Sequence, residues 1–193
     1  MKDAPHVRIA YSVGRLDRAL RRRMGAVTAR HGLTVAQYTA LSVLEARGRL
    51  LAVITQNTDG LHQAAGSKNV YELHGSVHRN YCNGCRKTYD ISAISQATGI
   101  PRCHCGGVIR PDVVLFEESL NYDVIRQAET ALRAADLLIV GGTSLVVYPA
   151  AGMITLSKCP LILLNKGETG HDSRASLIIR ESIGHVLGQI KVN

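Results

Sequence analysis

The sequence contains no tryptophan and a single phenylalanine, so a hydrophobic core has to be built from aliphatic side chains. No apolar run approaches the roughly 18 residues that a membrane-spanning helix requires. The opening MKDAPHVRIAY lacks an apolar segment of leader length, so we expect a cytoplasmic protein with no membrane partner. There are no internal repeats, no low-complexity tract and no G-x-G-x-x-G, the common dinucleotide fingerprint. Acidic residues are scarce at the front. Residues 1–50 hold ten Lys/Arg against three Asp/Glu, whereas the remainder holds thirteen against twelve. An asymmetry of this kind marks two segments with different histories or partners.

Cysteine is used sparingly, and four of the five stand in one stretch. Cys82-x-x-Cys85 puts two thiolates on one tight turn, and Cys103-x-Cys105 adds two more about seventeen residues later. Four sulfur ligands at this spacing suit a closed, tetrahedral, structural Zn²⁺ site. The second pair is one residue shorter than the usual C-x-x-C. A disulfide or a redox pair is the competing reading, and it fits less well without a secretory leader and with a second pair nearby. Cys159 reads as a small buried hydrophobe and His104 as an exposed turn residue.

Helical and strand periodicities divide the chain near residue 50. Val13, Leu16, Leu20, Met24 and Val27 recur at spacings of three and four, opposite a face carrying Arg15, Arg18, Arg21, Arg22, Arg23 and Arg30. The plain reading of that face is a solvated one. No aromatic or base-reading residues interleave with it, so a nucleic-acid partner is not expected. Thr34 can cap a second helix over residues 35–46, ended by Gly48. Beyond it, residues 51–55, 113–116, 137–140 and 161–164 read as buried parallel strands, with helices over 122–135 and 146–156. This is a doubly wound α/β rhythm with the cysteine lobe inserted after its first strand. Ligands in such sheets bind beyond the strand ends, where Gln56-Asn57-Thr58-Asp59, Gly141-Gly142-Thr143-Ser144 and Asn165-Lys166-Gly167-Glu168 stand. The Gly-Gly-Thr-Ser turn reads as a phosphate or ribose cradle at a helix N-terminus. On the residues alone, His74 is open to a structural or a catalytic role.

Taken together, QNTDGLHQAAGS, ELHGSVHRNYC, the cysteine quartet, IRPDVVLFEE, GGTSLVVYPAA and LILLNKGET resemble the sirtuins, the NAD-dependent protein lysine deacylases, over about residues 50–187. The resemblance implies a sirtuin-type domain over residues 50–193, with a partial Rossmann-type parallel sheet and a zinc-ribbon lobe at about 76–111. A helical segment, residues 1–49, precedes it. Its implied cofactors are NAD and Zn²⁺, and its implied partner is an acylated lysine protein or peptide. In the family, the acyl-lysine oxygen attacks the ribose carbon of NAD and displaces nicotinamide. His74 matches the base that then activates a ribose hydroxyl, a role suited to a side chain that exchanges protons near neutral pH. Gln56, Asn57 and Asp59 match the nicotinamide-ribose side of the cofactor site. Gly142, Thr143 and Ser144 match the phosphate and adenosine-ribose contacts, and Asn165, Lys166 and Gly167 the adenosine side. Val114, Phe116, Leu145, Val146, Val147 and Tyr148 match the walls that hold an extended substrate peptide. Phe116-Glu117-Glu118 stands where the family usually has Phe-Gly-Glu.

Residues 1–50 depart from that pattern. The family's GAG-[IV]-S strand and its G-I-P-x-F-R loop have no match there. Residues 7–49 resemble instead the start of a MarR-type transcription regulator, without its recognition helix and wing. ALSVLEARGRLLAVITQN is common to both resemblances, and we expect the chain to be a join made at that stretch. The expectations that follow are an impaired deacylase, with an inactive zinc-stabilised remnant as the alternative, and self-association through exposed sheet surface. A DNA-binding regulator is disfavoured.

Overall fold

The computed structural model describes residue 45 and residues 48–189. The helices expected over residues 13–46, with their basic face, lie outside the described residues apart from Glu45, which is helical. Beyond residue 49 the chain forms two compact units, one from Leu50–Leu138 with Leu145–Pro160, the other including Ile139–Ser144 and the chain from Leu161.

In the first unit β1 (Val53–Thr55) pairs in parallel with β2 (Val70–Glu72), Val53 opposite Val70, across a short helix α1 (Leu61–Ala64). An antiparallel sheet follows, ordered β4-β3-β5, from β3 (Gly75–Cys82), β4 (Thr88–Tyr89) and β5 (Ile109–Val113). Helix α2 (Ser92–Ser95) lies between β4 and β5 in sequence. Helix α3 (Tyr122–Ala134) starts where Asn121 Oδ1 accepts from the amides of Asp123 (2.9 Å) and Val124 (3.3 Å), satisfying two otherwise orphaned donors. Asp123 in its first turn and Arg133 in its last complement the helix dipole. Val124, Ala128 and Leu132, four apart, form the apolar face, which packs with Leu73, Met153, Ile54, Tyr71 and Leu138. Burying each large aliphatic side chain of this cluster contributes about 1.5–3 kcal/mol. Ala128 is fully buried, so a larger side chain there would overpack the contact.

The second unit carries β6 (Leu138–Gly141), β7 (Leu161–Leu164) and β8 (Leu177–Ile179) side by side in that order, β7 and β8 parallel. Leu161, Leu163 and Leu164 are buried, as their unbroken apolar run implies. Helix α5 (Ile183–Gly188) closes the described chain, with Ser182 Oγ accepting from the His185 amide at 3.3 Å.

Two expected elements differ in form, and the 137–140 strand, expected to be buried, leaves Leu137 48% and Ile139 42% exposed. Residues 113–116 are not a buried parallel strand. The strand is β5, antiparallel to β3, and Val114, Leu115 and Phe116 lie past its end in a loop where Leu115 is 58% and Phe116 101% exposed. The helix expected over 146–156 is only α4 (Ala150–Met153), continued by one 3₁₀ turn at Ile154–Leu156. Pro149 is its N-cap, and a proline disfavours helical backbone in the residue before it, so the helix cannot extend back to Val146. The three-residue strands β2 and β8 and the helix α5 carry too short a pattern to have been read from the sequence.

Candidate active site and metal centre

His74 stands in the two-residue turn between β2 and β3. Its backbone is fixed on three sides. The Leu73 amide donates to the Thr55 carbonyl (2.9 Å), and the Val114 amide donates to the His74 carbonyl (3.0 Å). Gly75, at φ +78°, pairs with Val113 so closely that a Cβ would lie 1.9 Å from the Asp112 carbonyl oxygen. Only glycine meets both conditions, which explains the His-Gly pair. The ring Nδ1 lies 3.2 Å from the Gln56 carbonyl. A carbonyl oxygen only accepts, so Nδ1 carries a proton and donates, and in the neutral ring the lone pair falls on Nε2. The neutral form of this half-buried imidazole is thereby held as its Nδ1–H tautomer.

The Gln56–Gly60 loop that carries Asn57 and Asp59 is folded on itself. The Asn57 amide donates to Thr55 Oγ1 (3.1 Å), the Leu61 amide to Asp59 Oδ1 (3.0 Å) and the Val77 amide to the Thr58 carbonyl (3.0 Å). Three charged or titratable residues around it gave no signal in the sequence. Burial pushes the His62 imidazole below its ordinary range, offset in part by Asp59 and Glu72. Glu72 is buried and paired with Arg79 Nη1 at 2.6 Å, and Arg79 Nε reaches Asp112 Oδ2 at 3.0 Å. Arg79 thus ties β2 and β5 to β3.

The residues expected to wall a peptide divide by exposure. Phe116, Val146, Val147 and Tyr148 are exposed, Val114 is half-buried, and Leu145 is buried at φ +53°. The loop presenting Phe116 is tied down by Arg110, whose Nη1 and Nη2 meet Glu118 Oε1 (2.5 Å) and Oε2 (2.9 Å). Arg110 Nη2 also donates to the Val113 carbonyl (2.8 Å), and the Leu115 amide donates to Glu118 Oε2 (2.9 Å). The guanidinium beside it, then the Leu115 amide, hold the Glu118 carboxyl down at about 2. Glu117 adopts φ +70°, a glycine-like backbone held by a residue with a Cβ.

Within the second unit, Gly142 has φ +67°, yet its amide is spent on the Leu164 carbonyl (3.2 Å). A Cβ on Gly141 or Gly142 would lie 2.6 or 3.0 Å from Ile183 Cδ1. These glycines are therefore explained by packing against α5, and the turn leads to a helix only at Ala150. The expected cradle at a helix N-terminus is not formed there. Ser144 and Lys166 are exposed, and Thr143 is half-buried. Asn165 Nδ2 (3.0 Å) and Arg180 Nη1 (2.6 Å) both donate to the Gly167 carbonyl, and Arg180 Nη2 pairs with Asp172.

The four cysteine sulfurs lie within 4.8 Å of one another. Cys82–Cys105 and Cys85–Cys103 are each 3.5 Å apart, far beyond the roughly 2.0 Å of a disulfide. Four thiolates about 2.3 Å from one tetrahedral Zn²⁺ would stand about 3.8 Å apart, so the sulfurs fit that ion. The Gly84 amide donates to Cys82 Sγ (3.3 Å) and Tyr89 Oη to Cys103 Sγ (3.0 Å). A Cβ on Gly107 would lie 2.6 Å from Cys82 Sγ. The donated hydroxyl, with the Cys105 amide, brings the Cys103 thiol down to about 6, favouring the ligating thiolate. His104 is exposed, as expected of a turn residue.

The Sir2 family model matches residues 20–149 of this chain. The chain belongs to the Sir2 family. The match begins inside the segment that resembles a MarR-type regulator. An "NAD-dependent protein deacetylase" from Clostridium perfringens is 56% identical over 156 residues, covering 79% of this chain and 64% of the relative. One of the same name from Clostridium acetobutylicum is 56% identical over 155 residues, covering 79% and 63%. This Sir2 chain thus spans a little under two thirds of these relatives. A solved structure described as "Sir2-p53 peptide-NAD+" superposes with a TM-score of 0.74 at 41% identity, covering 79% of this chain and 66% of that one. Another, "The Structural basis for Sirtuin Substrate affinity", has a TM-score of 0.74 at 36% identity, covering 88% and 80%. The fold is accordingly the sirtuin Rossmann-like α/β fold. Among the described residues no helix is long and apolar enough to cross a membrane.

Proposed function

We propose that this Sir2 chain is an NAD-dependent protein lysine deacylase, with His74 as its general base and an acylated lysine peptide as its substrate. The observation that carries the reading is the Gln56 carbonyl on His74 Nδ1, which leaves Nε2 as the acceptor a base needs. Bound NAD would supply the electrophilic ribose carbon that takes the acyl-lysine oxygen as nicotinamide leaves. Gln56, Asn57 and Asp59 hold its nicotinamide ribose, Thr143 and Ser144 beside Gly142 its phosphates and second ribose, and Asn165, Lys166 and Gly167 its adenosine. The side chains of Gln56 and Asn57 make no hydrogen bond among the described residues, so their polar atoms remain available to a ribose. The exposed Phe116, Val146, Val147 and Tyr148 receive the peptide. Cys82, Cys85, Cys103 and Cys105 hold Zn²⁺, whose part is to fold the lobe of residues 76–111 rather than to react. The separate thiols suit a reducing cytoplasm.

Nicotinamide release from NAD and an acetyl-lysine peptide tests this reading. Release abolished in His74→Ala supports it. Absence of release from the zinc-loaded chain favours the binding remnant. We further read residues 1–49 as a MarR-like segment joined to the sirtuin-type domain, which amplification of the codons for residues 40–51 from source DNA would test. The half-exposed Leu137, Ile139 and Leu177 support self-association, which sedimentation at several concentrations would detect.

A further inference from the structure

We propose that His78 is a positioning residue that locks the Gln56–Gly60 loop in its cofactor-holding shape. The inference rests on the cofactor reading of that loop. It starts from an irregularity in β3. Ser76 pairs with Asp112 and Asn80 with the very next β5 residue, Pro111, so Val77, His78 and Arg79 are extruded from the ladder. Bulges of this kind redirect side chains beside functional sites. Here each extruded residue has a use. The Val77 amide donates to the Thr58 carbonyl (3.0 Å), and Arg79 spans Glu72 and Asp112. His78 Nε2 lies 2.9 Å from the Asp59 carbonyl, so Nε2 is the protonated nitrogen and donates. Asn80 braces the extrusion from below, its buried Nδ2 donating to the Val77 carbonyl (3.3 Å).

A second contact is independent of that hydrogen bond. Gly60 has φ +69°, and a Cβ on it would lie 2.6 Å from His78 Cδ2 and 3.0 Å from Nε2. The Cδ2–Nε2 edge of the ring therefore lies against the loop where only glycine leaves room. With the Leu61 amide on Asp59 Oδ1 and His78 on the Asp59 carbonyl, Asp59 is held at both ends. Of the three loop carbonyls held by this part of the chain, that of Gln56 goes to the ring of His74, that of Thr58 to a backbone amide and that of Asp59 to His78. His78 is the one tether that is a side chain with no part in the chemistry.

Two substitutions separate positioning from bulk. His78→Phe keeps a ring against Gly60 and removes the donor, while His78→Gln keeps a donor at the reach of Nε2. Losing one hydrogen bond of this type costs about 1 kcal/mol, which corresponds to about fivefold in affinity. Calorimetric titration of the zinc-loaded full chain with NAD should show about fivefold weaker binding in His78→Phe and near-normal binding in His78→Gln. Hydrogen exchange should accelerate in His78→Phe at the amides of Leu61 and Val77 but not along β4. Equal NAD affinity in His78→Phe and the unaltered chain would overturn the proposal, as would equal losses in both variants. If the unaltered chain binds no NAD, the cofactor reading fails by itself. The exchange at Leu61 and Val77 then still decides the tether, which falls if His78→Phe leaves it unchanged.

Discussion

Replacing Gly75 by alanine tests the geometry that places His74. Two costs add at this position. A Cβ at φ +78° meets its own backbone, which costs about 1–2 kcal/mol. The same Cβ would stand 1.9 Å from the Asp112 oxygen and 2.9 Å from the Asp112 carbonyl carbon, backbone atoms that no side-chain rotation can move away. Relieving that overlap drives β3 and β5 apart by roughly 1 Å, at the further cost of about 1–3 kcal/mol typical of overpacking. Gly66→Ala is the matched control, since Gly66 has φ +90° with nothing within 4 Å of an added methyl and so carries the backbone cost alone. Urea denaturation followed by circular dichroism should show Gly75→Ala destabilised by about 2–5 kcal/mol and Gly66→Ala by about 1–2 kcal/mol. The displaced strands also carry the His74 carbonyl to Val114 contact, and on the role proposed for His74 a shift of about 1 Å there lowers turnover by about 100-fold. Nicotinamide release should therefore fall by that order in Gly75→Ala and remain near normal in Gly66→Ala. Equal destabilisation of the two variants would refute the claim that close approach of β5, rather than φ alone, demands glycine before Ser76.

Other consequences are equally direct. Glu117→Gly relieves the strain of φ +70° at the expense of chain entropy, so thermal denaturation should show a gain of about 0.5–1 kcal/mol, and a loss would contradict the strain assignment. The Glu118 carboxyl titrates near 2 when folded against an ordinary 4.5, so its contribution is complete above about pH 4.5 and disappears as pH falls toward 2. The stability difference between the unaltered chain and Glu118→Gln should shrink across that window, and a difference independent of pH would rule out the Arg110 pairing as its source. Cys85→Ser removes one of four sulfur ligands, and metal analysis should find the zinc of the purified chain reduced at least tenfold; full retention would mean that Cys85 is no ligand.

Legibility in the sequence differs by element. The 161–164 strand and the 122–134 helix are legible because an unbroken aliphatic run and a three-four apolar spacing each permit one structure. The cysteine cluster is legible because ligand spacing is local. Val-Val-Leu-Phe at 113–116 misleads for a physical reason: its hydrophobicity serves exposure on a loop, and the tie that makes the loop runs from Arg110 to Glu118, outside the run. The Gly-Gly at 141–142 misleads in another way, since its glycines accommodate Ile183 from about forty residues downstream. Arg79, His78 and Arg180 were invisible because their roles exist only once distant backbone carbonyls and carboxylates have been brought to them.

The cysteine cluster and His74 stand at two ends of one ladder. Cys82 faces Ile109 at one end of the β3–β5 pair, and Gly75 faces Val113 at the other, next to His74. The sulfurs of Cys103 and Cys105 bring the chain back so that residues 109–113 can lie along β3 in that register. A slip by one residue would move Val113 from Gly75, set a Cβ-bearing residue against the Asp112 carbonyl, and break the Val114 amide's bond to His74. Register in this ladder is pinned from the cysteine end by Cys82 and from the His74 end by Gly75, with the Val77–Arg79 extrusion absorbing the mismatch between them. A cysteine cluster at one end of the ladder can in this way fix the position of His74 at the other.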